Sequence, residues 1–321
     1  MRAVHYRRYG SPDVLELVET DTPVPADDEV LVRVRAASVN PADWYGMTGL
    51  PVARFGSGLR APKDPRLGVD FAGIVEAIGK NVTHLAPGDE VYGGRTGAFA
   101  EYVSVRNAVA RKPERLSFEQ AAAAPVAAIT ALQGLRDKAR LAPAERVLVH
   151  GASGGVGTFA VQIAKALGAG HVTAVCSTRN VEQARSLGAD RVVDYTKEDV
   201  TRCGDRFDVM LQVGGAPSYS SYRRISAPGA RLVIVGAEKD SSPLGPLAYF
   251  LKTKLASLGR SPHVSFFVAK LTRDDLQVLN EMFEGGTVAP VVERTYELSE
   301  IAEAMRHLGE GHARGKIVVT V

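Results

Sequence analysis

Cysteine is nearly missing from this chain: 321 residues hold only two, Cys176 and Cys203. They form no CxxC pair and have no Cys/His partners at ligand spacing. A disulfide framework and a structural zinc site are therefore not expected. An excess of either charge is missing too, since 39 Lys and Arg face 36 Asp and Glu, a formal +3. Arg7-Arg8 and Arg223-Arg224 are short and read as solvated faces. No electrostatic case exists for nucleic acid or an anionic membrane surface as a partner. No apolar run reaches the roughly 18 residues of a membrane span. The stretch Met1 to Tyr6 alternates at once and lacks a signal-peptide core. With so little cysteine, a reducing compartment is expected, the cytoplasm by default.

What is present is an ordinary globular composition, 45% hydrophobic and 23% charged. Its length suggests two domains. The first third reads as β. Glu29 to Ser38 (EVLVRVRAAS) alternates apolar and polar residues, as a half-buried strand does. Val69 to Gly79 is a second strand, with Gly73 a bulge or close backbone approach. Pro87-Gly88-Asp89 is a turn before Glu90-Val91-Tyr92, and Ala98 to Val103 a further strand. Short strands between Gly/Pro turns suggest a small barrel-like β domain.

The pattern changes at Ser117, which opens a capping box with Gln120. An Ala-rich helix follows, broken at Pro125 and resumed over Ala127 to Leu135. Then strands and helices alternate: strand Arg146–His150, helix Gly154–Leu167, strand His171–Ser177, helix Val181–Leu187, then strands Arg191–Asp194, Phe207–Val213 and Ala230–Gly236. Such alternation predicts an α/β fold with a doubly wound parallel sheet. The tail adds a helix (Asp274–Phe283), a β piece (Val291–Tyr296), a helix (Ser299–Leu308) and a last strand, Lys316–Val321.

The segment Val147 to Gly157 (VLVHGASGGVG) carries the first chemical signal. Gly151, Gly154 and Gly157 follow a buried strand and open a helix. Glycine allows a tight turn and lets backbone N–H groups approach a pyrophosphate, and the helix N-terminus adds favourable dipole charge. The spacing is GxxGxxG rather than GxGxxG, and a plain strand-to-helix turn is the alternative. The flanking βα units favour a dinucleotide site. Where an NAD site places Asp or Glu, at the end of the second strand, this chain has Ser177, Thr178, Arg179 and Asn180. Arg179 would attract a 2′-phosphate, and the Ser177 and Thr178 hydroxyls can donate to it. NADPH is the expected cofactor; the bland alternative is that Arg179 is a solvated loop charge.

With these pieces the chain resembles the medium-chain dehydrogenase/reductase superfamily, in its zinc-free quinone oxidoreductase branch (zeta-crystallin-like and reticulon-interacting-protein-like enzymes). The likeness runs over essentially the whole length. It rests on Asn40 to Asp43 (NPAD), Gly68 to Val75 (GVDFAGIV), Pro87 to Val91 (PGDEV), Gly97 to Tyr102 (GAFAEY), the glycine loop, Leu187 to Asp190 (LGAD), Asp194-Tyr195 and Gly311 to Lys316 (GHARGK). It implies a GroES-like, β-rich barrel domain made of residues 1–122 and 266–321. A Rossmann domain over 123–265 would carry NADPH. Ser153, Gly155 and Val156 would hold the pyrophosphate, Ser177 and Arg179 the 2′-phosphate, and Tyr195 would lie near the adenosine. Val213, Gly214, Val235, Gly236 and Ala237 end strands where cofactor contacts are expected. Phe266, Phe267 and Val268 would approach the nicotinamide, with His312, Ala313 and Arg314 closing that end. A homodimer is expected from the same likeness.

The resemblance also explains an absence. Ser38 to Asp43 supplies no thiolate or imidazole, and Val69-Asp70 stand where zinc-dependent relatives have a His-Glu pair. Val91 to Ala98 is too short for a Cys-rich zinc lobe. Without a Lewis acid, oxidation of a plain alcohol is hard. Hydride delivery to a quinone or an α,β-unsaturated carbonyl needs chiefly binding and orientation. The candidate catalytic residues are Asn40, Asp43 and Tyr45. Asn40 would hydrogen-bond the nicotinamide ribose or a substrate carbonyl, Tyr45 would donate to a developing enolate or hydroquinone oxygen, and Asp43 would orient them. From the residues alone, Asn40-Pro41 reads equally as a turn and Asp43 as a helix N-terminal residue. Trp44 and the run Leu50–Arg60 line a substrate pocket or simply pack. The competing reading is an NADPH-binding redox sensor or interaction protein with little catalysis.

Overall fold

The computed structural model describes residues 1–50, 54, 57–215, 217–236 and 245–321, with the side chains of 245–247 excepted. The chain divides into two compact units. Unit 1 comprises Met1–Ile129, Leu271–Gly285 and Pro290–Val321; unit 2 comprises Thr130–Lys270 and Gly286–Ala289.

Unit 1 opens with the hairpin β1 (Arg2–Tyr6) and β2 (Leu15–Glu19). Then come β3 (Val30–Ser38), helix α1 (Pro41–Thr48), β4 (Asp70–Ile78), β5 (Glu90–Gly94), β6 (Tyr102–Val105) and β7 (Val109–Arg111). Helix α2 (Phe118–Ala122) follows, and α3 (Pro125–Gln133) leads to the unit boundary. The alternation in β3 is realised only over Val32–Arg35, since Leu31 and Ala36 to Ser38 are buried as well. Val30, Val32 and Val34 join one core cluster with Phe71, Val75, Val91 and Val103. Each such side chain removed from water contributes about 1.5–3 kcal/mol. Gly73 lies against β3 so closely that a Cβ there would sit 2.2 Å from the Arg33 carbonyl oxygen. The capping box at Ser117 forms with both of its bonds, Gln120 N–H to Ser117 Oγ at 3.2 Å and Ser117 N–H to Gln120 Oε1 at 3.1 Å.

The expected strand over Ala98–Val103 is corrected: regular pairing starts only at Tyr102. The Phe99 carbonyl instead accepts from Val4 N–H at 2.8 Å, and Phe99 N–H donates to the Leu67 carbonyl at 3.2 Å. Those bonds tie the segment crosswise to β1 and to the chain before β4, outside the ladder.

Unit 2 is a parallel α/β layer. Its strands are β8 (Arg146–His150), β9 (His171–Cys176), β10 (Arg191–Asp194), β11 (Phe207–Gln212), β12 (Ser226–Ile234) and β13 (His263–Phe266). Its helices are α4 (Gly155–Ala166), α5 (Val181–Ser186), α6 (Tyr219–Arg224) and α7 (Gly245–Ala256). The spatial order is β10-β9-β8-β11-β12-β13, and every pairing is parallel. The chain starts in the middle, runs outward on one side, then returns to fill the other. The order therefore reverses between β8 and β11, and the crevice at their carboxyl ends is where such sheets bind ligands. Three elements have no counterpart in the sequence reading. β13 is only four residues long with one buried side chain, Val264. Neither α6 nor α7 was anticipated.

The chain then re-enters unit 1 with α8 (Arg273–Glu284), β14 (Val292–Glu297), α9 (Ile301–Glu310) and β15 (Lys316–Thr320). β15 pairs parallel with β14 and antiparallel with β3, so the tail completes a sheet ordered β14-β15-β3-β4-β5-β7, with β6 also on β3. A second cluster in unit 1 packs Met47 of α1 with Ile301, Ala304 and Met305 of α9 and Ile317 and Val319 of β15.

Candidate active site

The glycine loop turns out of β8 at the crevice of unit 2. Gly151 has φ +89°, and a Cβ there would meet Gly214 N at 2.6 Å. Only glycine permits both the backbone angle and that approach. A Cβ on Gly157 would meet the Gly151 carbonyl oxygen at 2.1 Å, so the first turn of α4 packs directly on the loop. The N-cap is Gly154, which has no side chain, and the first turn carries no acid. The N–H groups of Gly155, Val156 and Gly157 thus begin a 12-residue helix with neither a capping side chain nor a competing charge. A Cβ on Gly154 would meet nothing within 4 Å. Ser153 and Gly154 precede that turn. An open, uncapped helix N-terminus at the switch point fits a pyrophosphate.

The other dinucleotide candidates of unit 2 lie along the same edge of the sheet, each just after or at the end of a strand. Val213 and Gly214 follow β11 and donate their N–H groups to the His150 carbonyl at 2.8 and 3.1 Å. His150 Nδ1 lies 2.7 Å from the Gly214 carbonyl oxygen, so this histidine joins the two strand ends. Val235 and Gly236 follow β12, and both N–H groups donate to the Gln212 carbonyl. Ala237 lies outside the described residues. Phe266 ends β13, half-exposed, with its ring 4.8 Å from that of Phe250. Val268 is exposed, and Lys138 Nζ lies 5.5 Å over the Phe267 ring. Tyr195, after β10, exposes 59% of its surface, a large apolar ring presented to a ligand's reach.

At the end of β9 the structure adds the carboxylate of Asp194, to which the sequence reading gave no role. Thr178 Oγ1 donates to Asp194 Oδ2 at 2.6 Å, across from neighbouring β10. Asp194 Oδ1 accepts the N–H and hydroxyl of Thr196 at 3.1 and 2.7 Å. The Thr178 hydroxyl, then the Thr196 groups and Lys197, hold the Asp194 carboxyl far below the usual range despite partial desolvation. Thr178 has one hydroxyl hydrogen, and in this structure it is given to Asp194. Ser177 differs: its Oγ accepts from Asn180 Nδ2 at 3.1 Å, leaving its own hydrogen for another acceptor. Arg179 is exposed.

In unit 1, Asn40 is the N-cap of α1, Pro41 starts the helix and Asp43 is its third residue. Asn40 N–H donates to Asp43 Oδ2 at 2.8 Å. Both side chains are buried, Asn40 to 1% and Asp43 to 3% exposure. Burial pushes the Asp43 carboxyl up to about 7, with the charge of Asp70 adding to the rise; the N–H groups of Asn40 and Gly68 and the charge of Lys316 act against it. Asn40 Nδ2 donates to Asp70 Oδ2 at 2.9 Å, and Asn40 Oδ1 accepts from Lys316 Nζ at 2.5 Å. The carboxamide is thus engaged at both ends within the protein. Tyr45, one turn along α1, is half-buried, and its hydroxyl has no hydrogen-bond partner among the described residues. Burial pushes that phenol up, which keeps it protonated and able to donate. Trp44 packs: it joins the second core cluster, and its ring stands 2.5 Å from where a Cβ on Gly309 would be. Within Leu50–Arg60, residues 51–53, 55 and 56 lie outside the described residues.

His312, Ala313 and Arg314 form the link between α9 and β15. His312 and Arg314 are exposed, Ala313 rests on the core cluster, and Arg314 N–H donates to Glu293 at 2.8 Å. Asp70 and Lys316 emerge as buried charges that the sequence reading did not assign a role. The available signal was an acid and a base, each at the head of an apolar strand run, because such charges stay buried only when paired. Among the described residues no group of three or more His, Cys, Asp and Glu is arranged to hold a metal ion. No helix among them is long and apolar enough to cross a membrane.

Comparison with known proteins agrees with both units. Residues 26–114 match the family model "Alcohol dehydrogenase GroES-like domain", and residues 187–319 match "Zinc-binding dehydrogenase". The chain is 34% identical to 2-methylene-furan-3-one reductase of Solanum lycopersicum, over 99% of this chain and 79% of that protein. It is 35% identical to the mitochondrial NAD(P)H oxidoreductase RTN4IP1 of Mus musculus, over 98% of this chain and 87% of the relative. Among solved structures, Escherichia coli quinone oxidoreductase complexed with NADPH superposes with a TM-score of 0.81 at 26% identity, covering 100% of both chains. The chain belongs to the medium-chain dehydrogenase/reductase superfamily, among its quinone oxidoreductase-like members.

Proposed function

We propose that this protein is an NADPH-dependent reductase of quinones or α,β-unsaturated carbonyls that works without zinc. The observation that carries the reading is the open N-terminus of α4 at the switch point of unit 2, bounded by the close approach of Gly151 and Gly214. Relatives named as an enone reductase and a quinone oxidoreductase supply the substrate classes. The N–H groups of Gly155, Val156 and Gly157 receive the pyrophosphate. Ser177 and Arg179 hold the 2′-phosphate, Tyr195 covers the adenosine, and Phe266 to Val268 flank the nicotinamide. When bound, the cofactor supplies a hydride. Tyr45 donates a proton to the oxygen that gains negative charge on the acceptor, and Asn40 and Asp43 set the pose of the helix that carries it. His312 to Arg314 close the nicotinamide end.

The test is steady-state NADPH oxidation over a panel of quinones and enones, with paired NADPH and NADH titrations by fluorescence. Turnover of at least one class with preference for NADPH is expected. Tight NADPH binding without turnover of any acceptor would overturn the enzymatic reading in favour of a redox-sensor role.

A homodimer formed through unit 2 is part of the proposal. β13 ends the sheet order and pairs only with β12 among the described strands. Nearby in sequence, Leu251, Leu255 and Leu258 are each at least half exposed. An open strand edge and unburied leucines invite a second copy. Light scattering should give a dimer for the wild type and a monomer for Leu255→Glu. Two free thiols, Cys176 and Cys203, support a reducing compartment, the cytoplasm first.

A further inference from the structure

Five polar side chains meet inside unit 1 with almost no exposure: Ser38, Asn40, Asp43, Asp70 and Lys316. Lys316 Nζ has three acceptors within reach: Asn40 Oδ1 at 2.5 Å, the Val39 carbonyl at 3.2 Å and Asp70 Oδ2 at 3.3 Å. Three acceptors match the three hydrogens of an ammonium. Asp70 Oδ2 accepts also from Ser38 Oγ at 3.0 Å and Asn40 Nδ2 at 2.9 Å, while Oδ1 accepts from Val126 N–H at 3.0 Å. One carboxylate therefore ties four separate pieces of chain: the end of β3, the N-cap of α1, the start of α3 and the start of β15. Taking two charges out of water is costly, and well-packed apolar residues of similar volume often serve stability as well or better. Stability alone does not account for such a pair.

Its placement does. Asn40 begins the helix that carries Tyr45 five residues on. Lys316 follows His312 to Arg314 by two residues and the single link Gly315. A hydrogen-bonded pair fixes distance and direction, which apolar packing does loosely. We infer that Asp70 and Lys316 are positioning residues, which lock the start of α1 to the start of β15 and so fix Tyr45 and the His312–Arg314 turn relative to one another. This rests on the proposed roles of those two segments in the reaction.

The test uses full-length Lys316→Met and Asp70→Asn, with the double variant. Three readouts are taken. The first is amide hydrogen exchange of the cofactor-free protein. In both single variants, exchange over Asn40–Gly49 and Gly311–Lys316 should rise at least 10-fold, while β8 to β12 stay as in the wild type. The second is NADPH affinity by fluorescence, which should change less than about threefold. The third is turnover with (4-²H)NADPH: kcat should fall at least 10-fold and the primary isotope effect should rise, because a loosened site makes hydride transfer the slow step. A general loss of fold would move exchange everywhere and leave the isotope effect alone. The double variant should be no worse than either single one, since it leaves no unpaired buried charge. Wild-type exchange in both segments, or wild-type kcat and isotope effect in a folded Lys316→Met, would overturn the inference. If Lys316→Met does not fold, Asp70→Asn decides by the same readouts. If the wild type turns over no acceptor, the functional reading fails, and local exchange still decides whether the pair locks the two segments.

Discussion

Thr178 and Asp194 are joined across the ends of neighbouring strands by a hydrogen bond of 2.6 Å, donated by the threonine hydroxyl. The bond places a carboxylate beside the segment where a 2′-phosphate is proposed to bind, yet turns its oxygens onto Thr178 and Thr196. Thr178→Val should leave Asp194 Oδ2 with only the exposed Lys197 ammonium, 3.3 Å away. The expected cost is about 1 kcal/mol of stability. Because the hydroxyl is already committed, NADPH and NADH should weaken together, with their affinity ratio within about twofold of the wild type. A ratio that collapses in Thr178→Val would show that this hydroxyl contacts the phosphate after all. Thermal melts and paired titrations check both.

Arg179→Ala should behave in the opposite way. A guanidinium facing a phosphate makes charge-assisted bonds of about 1.5–3 kcal/mol. NADPH should therefore weaken about 10- to 100-fold, while NADH, which has no phosphate there, stays within about threefold. The preference should also fade as salt rises, because an exposed ion contact is screened. If NADH and NADPH weaken equally, Arg179 supports the loop rather than the phosphate.

The two cases show what sequence makes legible. The absence of an acid among Ser177 to Asn180 is local, and neighbouring letters reveal it. Asp194 reaches the same place from 16 residues away, and only the parallel pairing of β9 with β10 aligns Cys176 with Asp194. The glycine loop was readable because strand, loop and helix are contiguous and each leaves its own pattern. Most strands of unit 2 were readable for the same reason. β13 was not: four residues with one buried side chain show no period. The catalytic side divides the same way. The capping residues Asn40 and Asp43 stand three apart, a spacing that marks a helix start. The partners that saturate Asn40 are 30 and 276 residues away. Long-range pairing of buried charges leaves only a weak trace, an acid or base at the head of an apolar run.

Tyr45→Phe tests the proton donor. The hydroxyl has no partner among the described residues, so removing it leaves no buried group unsatisfied, and the melting temperature should change little. Loss of a positioned proton donor lowers the rate by about 10²- to 10⁴-fold. A fall in kcat of at least 100-fold is expected, with NADPH affinity unchanged. Enones should suffer more than quinones, because hydride addition to a quinone leaves a hydroquinone monoanion, a weakly basic phenoxide that can take its proton from water later, whereas the enolate left by an enone is more basic and depends more on a placed donor. Single-turnover kinetics with both acceptor classes decides this; undiminished kcat with either would remove Tyr45 from the mechanism.

Asp43 gives the folded chain a pH dependence of definite sign. Its carboxyl titrates at about 7 when folded, against roughly 4 in an unfolded chain. The folded state binds that proton more tightly. The stability it contributes is complete below about pH 4 and is lost as pH rises through 7. The groups facing it are Asp70, Lys316 and, through the charge felt by its phenol, Tyr6. Asp43→Asn keeps an oxygen for the Asn40 N–H and removes the titration. Other groups that titrate are common to both proteins, so the difference between variant and wild type isolates this one. Between pH 5 and 8 the melting temperature of Asp43→Asn relative to the wild type should rise by roughly 5 °C. Melts at several pH values measure it. A difference that stays flat across that window would mean that Asp43 is ionised throughout, held by the N–H groups of Asn40 and Gly68 more strongly than burial opposes.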